Sequence, residues 1–205
     1  KILKEGKRCW TLDYANEFHM DILPAIPDYD RLKDSILITD RRLLEWQKSN
    51  PKGYARWFVE RMRVIFEQRR VSLAESSRVN VEEIPEWKVR TPLQRSIQIL
   101  KRHRDICFNG KDHKPISIII TTLAAQAYAN EADLLEALST IIDGMTDPRN
   151  IKNIHGQYYI PNPTNPDENF AEKWNEDSNL PKAFSDWLSK LKATLESAIH
   201  QKDLL

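Results

Sequence analysis

The sequence predicts an α+β fold in which helices dominate. Near the start, two stretches, RCWTLDYA (8–15) and FHMDILPA (18–25), alternate apolar and polar residues in the manner of half-buried strands. Beyond Asn50 the apolar residues recur instead at the spacing of helices. We therefore expect strands within residues 1–48 and a helical lobe at 49–205.

Charge and composition narrow the possible partners. The 31 basic residues nearly balance the 30 acidic ones, giving a net charge of +1, whereas domains that coat nucleic acid are strongly basic. The two cysteines, Cys9 and Cys107, have no spacing typical of a zinc site or a disulfide framework. No apolar run approaches eighteen residues and no signal peptide opens the chain. We expect neither nucleic acid nor a membrane as partner, and a soluble, reducing, cytoplasmic setting.

Asp21 is the unexpected residue of the first hairpin, whose turn is predicted at Asn16-Glu17. It lies between Met20 and Ile22, although aspartate is a poor strand residue and is rarely buried without a partner. Either Asp21 pairs with a buried cation or hydrogen-bond donors, or it faces a cleft where a charge is needed. The pattern alone favours a solvent-facing or salt-bridged strand residue.

Capping residues mark the beginnings of the first two helices. Asn50-Pro51 combines an N-cap residue with proline at the first helical position, and an apolar stripe follows as far as Ile65. Residues 71–90 show no sustained period and are predicted to form a long connection. TPLQ (91–94) is a capping box that begins the next helix. The buried face of that helix is predicted at four positions: Leu93, Ile97, Leu100 and Cys107.

Longer apolar patterns predict the remaining helices. KPISIIITTLAAQAYA (114–129) is apolar nearly all round, so its helix is expected at the centre of the core, and its alanine-rich half favours helix over strand. DLLEALSTIIDGM (133–145) is a clear amphipathic helix. A loop rich in proline and asparagine (160–174) is expected to lead into a helix capped by Asn165-Pro166. A last amphipathic helix is predicted at 181–201.

Five segments in order resemble the bacterial CD-NTase family: FHMDILPAIPD, SNPKGYARWF, TPLQRSIQILKRHRD, KPISIIITTLAAQAY and NPDENFAEKW. These enzymes are relatives of cyclic GMP-AMP synthase and oligoadenylate synthetase, and they make cyclic oligonucleotide signals in antiphage (CBASS) defence. The resemblance covers the chain from about Arg8 to Trp174. It implies that the strands of residues 1–48 are edge strands of a polymerase-beta-like nucleotidyltransferase sheet and that 49–205 is the helical C-terminal lobe.

The resemblance implies a catalytic role for Asp21. The family holds two magnesium ions with three carboxylates, two from a D-x-D strand that follows a Gly-Ser motif and one from a later strand. Asp21 resembles that third carboxylate, which implies a metal ligand and Mg²⁺ as cofactor. No Gly-Ser motif or D-x-D strand precedes it, and Asp28-Tyr29-Asp30 follows it as a predicted turn. We therefore interpret the chain as the C-terminal part of such an enzyme, with the missing motifs expected before Lys1, and we expect it to be inactive alone.

Two further residues resemble the family's triphosphate contacts. Lys101, within LKRHRD, matches a lysine that reaches the triphosphate, with Arg102 and Arg104 as alternatives and a solvent-facing His103 between them. Ser117, in the first turn of the next helix, matches a phosphate-contacting serine. From the residues alone, Lys101 is a snorkelling lysine at the edge of an apolar stripe. Ser117 is, by the same reasoning, a helix-start serine that bonds the backbone.

The implied function is synthesis of cyclic di- or oligonucleotides from nucleoside triphosphates, with ATP as the first candidate and a HORMA-type protein as a possible regulator. Two alternatives stay open. One is a helical protein-interaction module without catalysis. The other is an RNA-tailing nucleotidyltransferase, in which the RNA would contact a basic cluster: Arg95, Lys101, Arg102 and Arg104. A Gly-Ser pair and D-x-D upstream of Lys1 would decide between enzyme and module.

Overall fold

The computed structural model describes residues 2–5, 9–14, 18–29, 34–39 and 46–202. These residues confirm the predicted class, α+β with helices predominating. The chain divides into two units, the first made of Lys1–Trp57 with Pro161–Glu168 and the second of Phe58–Ile160 with Asn169–Leu205. Over the described positions, no helix has both the length and the apolar character that crossing a membrane requires.

Two antiparallel sheets lie in the N-terminal segment of the first unit. Strands β1 (Ile2–Glu5), β2 (Trp10–Tyr14) and β3 (Phe18–Ile22) form one sheet. Strands β4 (Ala25–Pro27), β5 (Ile36–Thr39) and β6 (Trp46–Ser49) form the other. The predicted hairpin is confirmed, because β2 pairs with β3 and places Thr11 opposite Asp21. The turn predicted at Asn16-Glu17 lies outside the described residues.

The second sheet adds strands that the sequence did not predict individually, because the only strands predicted from the pattern are the two of the hairpin at 8–25. β4 has three residues and β5 and β6 have four each, which is too short for an alternating pattern to stand out. These strands are defined by pairing, with Ile26 opposite Leu37 and Ile38 opposite Gln47. Three paired strands therefore precede the first helix.

Helix α1 (Pro51–Ser77) begins where the sequence predicts. The side-chain oxygen of Asn50 accepts a hydrogen bond from the Gly53 amide at 2.9 Å, which satisfies one of the free N–H groups of the first turn. A Cβ on residue 53 would lie 2.6–2.7 Å from the Asn50 side chain. Glycine at this position therefore makes room for the cap.

The end of α1 departs from prediction, because the helix continues to Ser77, seven residues into the stretch 71–90 that was predicted to be a connection. Ala74 of this extension is buried against Ile84 and Val89 of the following segment. That segment forms two short 3₁₀ turns, at Val81–Glu83 and Glu86–Lys88. A small local core, not a long amphipathic stripe, stabilises the last two turns of α1.

The core of the second unit is built from α2 (Pro92–Cys107), α3 (Ser117–Ala127) and α4 (Leu134–Gly144), with α5 (Asn179–Lys202) packed on α2 and α4. The capping box is confirmed, since the Gln94 amide donates to Thr91 Oγ1 and the Thr91 amide to Gln94 Oε1. The central position of α3 is also confirmed by a set of fully buried residues: Ile119, Ile120, Leu123, Ala124 and Ala125. On the amphipathic helix α4, Leu138 and Ile141 are buried, whereas Leu135 is 37% exposed.

The segment after α4 contains strands where a loop and a helix cap were predicted. Strands β7 (Lys152–Ile154) and β8 (Gln157–Tyr159) form a hairpin, and β9 (Pro161–Asn162) pairs with β10 (Asn165–Asn169). Asn165-Pro166 therefore begins a strand and not a helix. In the first unit, Glu168 of β10 accepts hydrogen bonds from Ser49 at 3.2 Å and from Asn162 at 2.8 Å. The local composition of β10 is typical of turns. It therefore does not predict a strand that pairs with β9 and contacts the distant residue Ser49.

Arg61 of α1 satisfies the C-terminal end of the buried helix α3. Its guanidinium donates to the carbonyl oxygens of Ala125 at 2.7 Å and Gln126 at 3.5 Å, and to that of Tyr128. The last carbonyls of a helix have no partner within the helix, and a cation there also matches the helix dipole. Arg61 thus combines hydrogen bonding with favourable electrostatics at a buried helix end.

Replacing Arg61 with methionine should lower the free energy of unfolding by about 2–3 kcal/mol, because buried carbonyls lose charged donors while the aliphatic volume is kept. Urea unfolding followed by tryptophan fluorescence measures the change. Arg63→Met is the matched control. The Arg63 side chain is exposed and pairs with Glu60, so its loss should change stability by no more than about 0.5 kcal/mol. Equal stability of the two variants would contradict the capping role.

Candidate functional site

Asp21 lies on the polar face of the sheet β1–β3. Residues opposite each other on paired strands share a face, as do alternate residues of one strand. Thr11 is opposite Asp21, Asp13 is opposite His19, and Lys4 is opposite Thr11. One face therefore carries a polar set: Lys4, Thr11, Asp13, His19 and Asp21. The neighbours of Asp21 in sequence, Met20 and Ile22, belong to the other face, which explains a carboxylate in an otherwise apolar strand.

The opposite face of this sheet is apolar apart from Glu5. It carries an exposed set, each member between 42% and 57% accessible: Leu3, Trp10, Phe18, Met20 and Ile22. Tyr14 and Phe18 stack across the β2–β3 pair, with ring centroids 4.4 Å apart. The strong difference between the two faces fixes the register of the hairpin, because a slip by one residue would exchange them.

The Asp21 carboxylate is exposed and hydrogen-bonded to a hydroxyl group. Thr11 Oγ1 donates to Asp21 Oδ1 at 2.6 Å. In the described part of the chain, Asp21 has no ion pair, whereas Asp13 on the same face pairs with Lys4 at 3.1 Å. A single hydroxyl hydrogen engages one carboxylate oxygen, so the second oxygen of Asp21 remains accessible. Asp21 is therefore not the buried salt-bridged residue that one of the expectations describes.

The described residues do not by themselves fit a two-magnesium centre. Nowhere among them do three or more His, Cys, Asp or Glu side chains come close enough to hold a metal ion. Asp21 offers one oxygen ligand of the kind that Mg²⁺ prefers, and Asp13 is engaged by Lys4. A metal at Asp21 would therefore need carboxylates other than those described here.

Lys101 lies in the second unit, on α2, with its ammonium group partly withdrawn from water. Burial lowers the pKa of Lys101, the nearby Arg104 guanidinium lowers it further, and the Asp105 carboxylate opposes both effects. Within the described residues, the ammonium group makes no hydrogen bond or ion pair. A half-buried cation beside a second cation is electrostatically unfavourable until an anion binds. The site thus favours a negatively charged ligand.

Ser117 is the first residue of α3 and is exposed. The helix begins two residues later than the Pro115 start considered from the sequence, but Ser117 still lies in the first turn. Its Oγ accepts a hydrogen bond from Arg104 Nη1 at 2.9 Å. The N-cap residue, Ile116, has no side chain that can bond the free amides of this turn, and such amides favour an anion.

Arg104 connects the candidate residues of the second unit, a role that the sequence analysis did not assign. Its side chain is 8% exposed, and besides Ser117 it donates to Asp105 Oδ1 and to the Pro115 carbonyl oxygen. A signal existed in the sequence, because Arg104 continues the spacing of the buried residues Leu93, Ile97 and Leu100. A solvated arginine would not be expected on that stripe.

His103 also differs from expectation, since it is not solvent-facing. Its Nδ1 accepts a hydrogen bond from the indole N–H of the buried Trp187 at 3.0 Å, which joins α2 to α5. An indole N–H can only donate, so Nδ1 must be the unprotonated nitrogen. Burial lowers the pKa of His103 accordingly. This histidine stabilises packing and is not a phosphate contact.

Comparison with known proteins shows which protein family the chain resembles. The profile of the Second Messenger Oligonucleotide or Dinucleotide Synthetase (SMODS) domain matches residues 2–61, which include Asp21. A c-di-GMP synthase of Roseivirga ehrenbergii is 33% identical over 193 residues, or 93% of this chain. The cyclic dinucleotide synthase CdnG of Bradyrhizobium diazoefficiens is 26% identical over 97% of the chain. A solved structure of that CD-NTase in complex with GTP superimposes with a TM-score of 0.73 at 25% identity, over 96% of this chain.

These matches confirm the predicted resemblance to the bacterial CD-NTases, and they also confirm the similarity of fold to a CD-NTase. The chain spans about half the length of the two curated relatives, 50% and 52%, and 62% of the solved chain. Asp21 belongs to the first unit, and Lys101 and Ser117 belong to the second. Their roles stay predictions.

Lys101→Met, made in the full-length protein, should weaken triphosphate binding by about ten- to a hundredfold, the equivalent of a charge-assisted contact of roughly 1.5–3 kcal/mol. The thermal midpoint should stay equal or rise, because methionine removes a partly desolvated ammonium and keeps its volume. Isothermal calorimetry and thermal melts measure the two effects. Lys111→Met, at an exposed lysine beyond α2, is the control and should bind as the parent does. A parental affinity for Lys101→Met, or its unfolding, would make Lys101 a structural residue.

Proposed function

We propose that this chain acts as part of a cyclic dinucleotide synthase that joins nucleoside triphosphates. The observation that carries the proposal is the similarity to a c-di-GMP synthase along 93% of the chain. A second support is chemical. The first unit offers an exposed carboxylate, and the second offers a partly buried cation on α2 and an exposed hydroxyl group at the start of α3. Nucleotidyl transfer requires both kinds of group, one for metal ions and one for phosphates.

In this proposal Asp21 is one of several carboxylates that hold Mg²⁺ in the whole protein. The metal ions, when bound, neutralise charge on the reacting phosphate and activate the attacking ribose hydroxyl. Thr11 holds Asp21 by one oxygen and leaves the other free for a ligand. Lys101, Ser117 and the first-turn amides of α3 bind the triphosphate. Pyrophosphate is the leaving group.

The relatives make GTP the first nucleotide to test. One is named as a c-di-GMP synthase, and the other was solved in complex with GTP. ATP, the candidate expected from the general resemblance, is the natural comparison. Both carry the same triphosphate, so the contacts of Lys101 and Ser117 would not distinguish them. The choice of base depends on other residues.

The biological setting is proposed on family resemblance alone. We propose a cytoplasmic enzyme of CBASS antiphage signalling, with a HORMA-type protein as a candidate regulator. The RNA-tailing alternative loses support from the position of Arg104. Its side chain is buried and its donors are engaged within the protein, so only three of the four basic residues could contact RNA. No observation specifically favours the interaction-module alternative.

The full-length protein with Mg²⁺ should convert labelled GTP, or a mixture of GTP and ATP, into a product resistant to phosphatase, as seen by thin-layer chromatography. Asp21→Asn should abolish the product because it removes a charged metal ligand, while triphosphate binding is kept. Asp13→Asn is the matched control on the same sheet face and should keep most of the activity. Full activity of Asp21→Asn would remove Asp21 from the metal site.

The chain of 205 residues alone should form no product under the same conditions, because no three His, Cys, Asp or Glu side chains of its described residues lie close enough to hold a metal ion. Circular dichroism would establish that the isolated chain is helical before it is tested. Product above background from a folded isolated chain would overturn the proposal that it is a part that needs further carboxylates.

A further inference from the structure

The Arg104 guanidinium is shielded from solvent, so its N–H groups need hydrogen-bond partners within the protein. Only 8% of its side chain is exposed. Nε and Nη2 both donate to Asp105 Oδ1, at 3.0 and 2.8 Å, while Nη1 donates to the Pro115 carbonyl oxygen at 3.0 Å and to Ser117 Oγ at 2.9 Å. Burying a guanidinium costs several kcal/mol unless its donors find partners. Two of these four contacts, those with Pro115 and Ser117, connect α2 to the segment that enters α3.

The contact with Ser117 determines what the serine hydroxyl can do. A hydroxyl group has one hydrogen to donate and lone pairs with which to accept. Because Oγ accepts from Arg104, that hydrogen is left for another acceptor. Serine in a helix interior commonly donates to the carbonyl four residues earlier, but Ser117 is the first residue of α3 and has no such carbonyl within the helix. The neighbouring cation also polarises the hydroxyl and makes it a stronger donor.

The contact with Pro115 acts on the backbone of the same turn. Its carbonyl oxygen is fixed two residues before α3 begins. The direction in which the chain enters the helix is therefore set by Arg104, together with the orientation of the first free amides. Ile116 cannot cap these amides. Arg104 thus orients two kinds of donor at once, one hydroxyl and the amides of the first turn.

Charge around this turn favours an anion. Lys101, Arg104 and Lys114 are cations, and Asp105 is the carboxylate that contacts two of them, Arg104 at 2.8 Å and Lys114 at 3.6 Å. Among these four groups the net charge is positive. Arg104, however, is 8% exposed and engages four of its five N–H groups within the protein, so it is not the cation that would reach a ligand.

We propose that Arg104 is a positioning residue: it holds the Ser117 hydroxyl and the first turn of α3 in the orientation that binds the triphosphate, without contacting the nucleotide. This inference rests on the proposed function, and it assigns the two basic residues of α2 different tasks. Lys101 binds the phosphates, and Arg104 prepares the donors that act beside it.

The test is a double-mutant cycle in the full-length protein, with GTP as the probe. Ser117→Ala should weaken GTP binding roughly two- to tenfold, the loss of one neutral hydrogen bond. Arg104→Lys should weaken it by a similar factor, because lysine keeps the charge but not the forked geometry. The double variant should bind no more weakly than the worse single variant, since both changes remove the same oriented hydroxyl. Arg63→Lys, at an exposed arginine of α1, is the matched control and should bind as the parent does.

Kinetics and stability separate positioning from a merely structural role. The single variants should raise KM for GTP by the same factors while changing kcat little, and thermal midpoints should fall only for Arg104→Lys. Losses that multiply in the double variant would mean that Arg104 acts on the nucleotide independently of Ser117 and would overturn the proposal. A lower midpoint with parental GTP affinity would also overturn it.

A milder variant covers the case in which Arg104→Lys fails to fold. Asp105→Asn, at a half-exposed carboxylate, loosens the guanidinium without removing it. It should weaken GTP binding in the parental background and have no further effect in Ser117→Ala, and equal effects in both backgrounds would overturn the proposal. Failure of the proposed function gives a different result, because the parent protein would then bind no triphosphate, or Lys101→Met would bind as tightly as the parent.

Discussion

Helix α3 is buried in its middle and towards its C-terminal end, and the carbonyl groups at that end therefore cannot rely on water. Ile120, Leu123 and Ala125 are fully buried, and the last carbonyls of any helix have no partner within it. Arginines from the two neighbouring helices donate to carbonyl oxygens near both ends of α3. Arg61 of α1 donates to carbonyls at the C-terminal end, and Arg104 of α2 donates to the Pro115 carbonyl just before the N-terminal end. Neither helix could slide along α3 without leaving buried polar groups unsatisfied, a cost of roughly 1–3 kcal/mol for each group.

Two cations on one face of α2 differ in whether their hydrogen-bond donors have partners within the protein. Arg104 and Lys101 lie one turn apart, yet the guanidinium has its donors satisfied within the protein and the ammonium does not. Burial and the adjacent Arg104 lower the pKa of Lys101, which means that the fold holds this charge at some cost. An anion bound at the start of α3 would offset that cost. Unfavourable electrostatics in the free protein are expected where a charged ligand binds.

The sequence predicted the elements whose signals are local. The Asn50 and Thr91 caps, the buried helix α3 and the β2–β3 hairpin follow from adjacent residues and from short periods. The sheet β4–β6 did not follow, because strands of three or four residues show too few alternations, and β10 has the composition of a turn but pairs with β9. The same limit applied to the site. The positions of Asp21 on a polar face and of Arg104 on the buried stripe of α2 follow from local spacing, whereas the hydrogen bond of Arg104 to Ser117 joins residues thirteen positions apart and has no local signal.

The candidate site residues of the two units belong to different chemical classes. The first unit contributes a carboxylate and a hydroxyl that holds it, and the second contributes cations and free amides at a helix start. Triphosphate recognition needs only charge and hydrogen-bond donors, so the second unit contains what that step requires. Phosphoryl transfer needs metal ions, and the hard oxygen ligands that hold them come from carboxylates. Affinity and turnover should therefore respond to different residues. Under the proposed function, binding would be governed by the electrostatics around α2 and α3, and the chemical step by Asp21 together with further carboxylates.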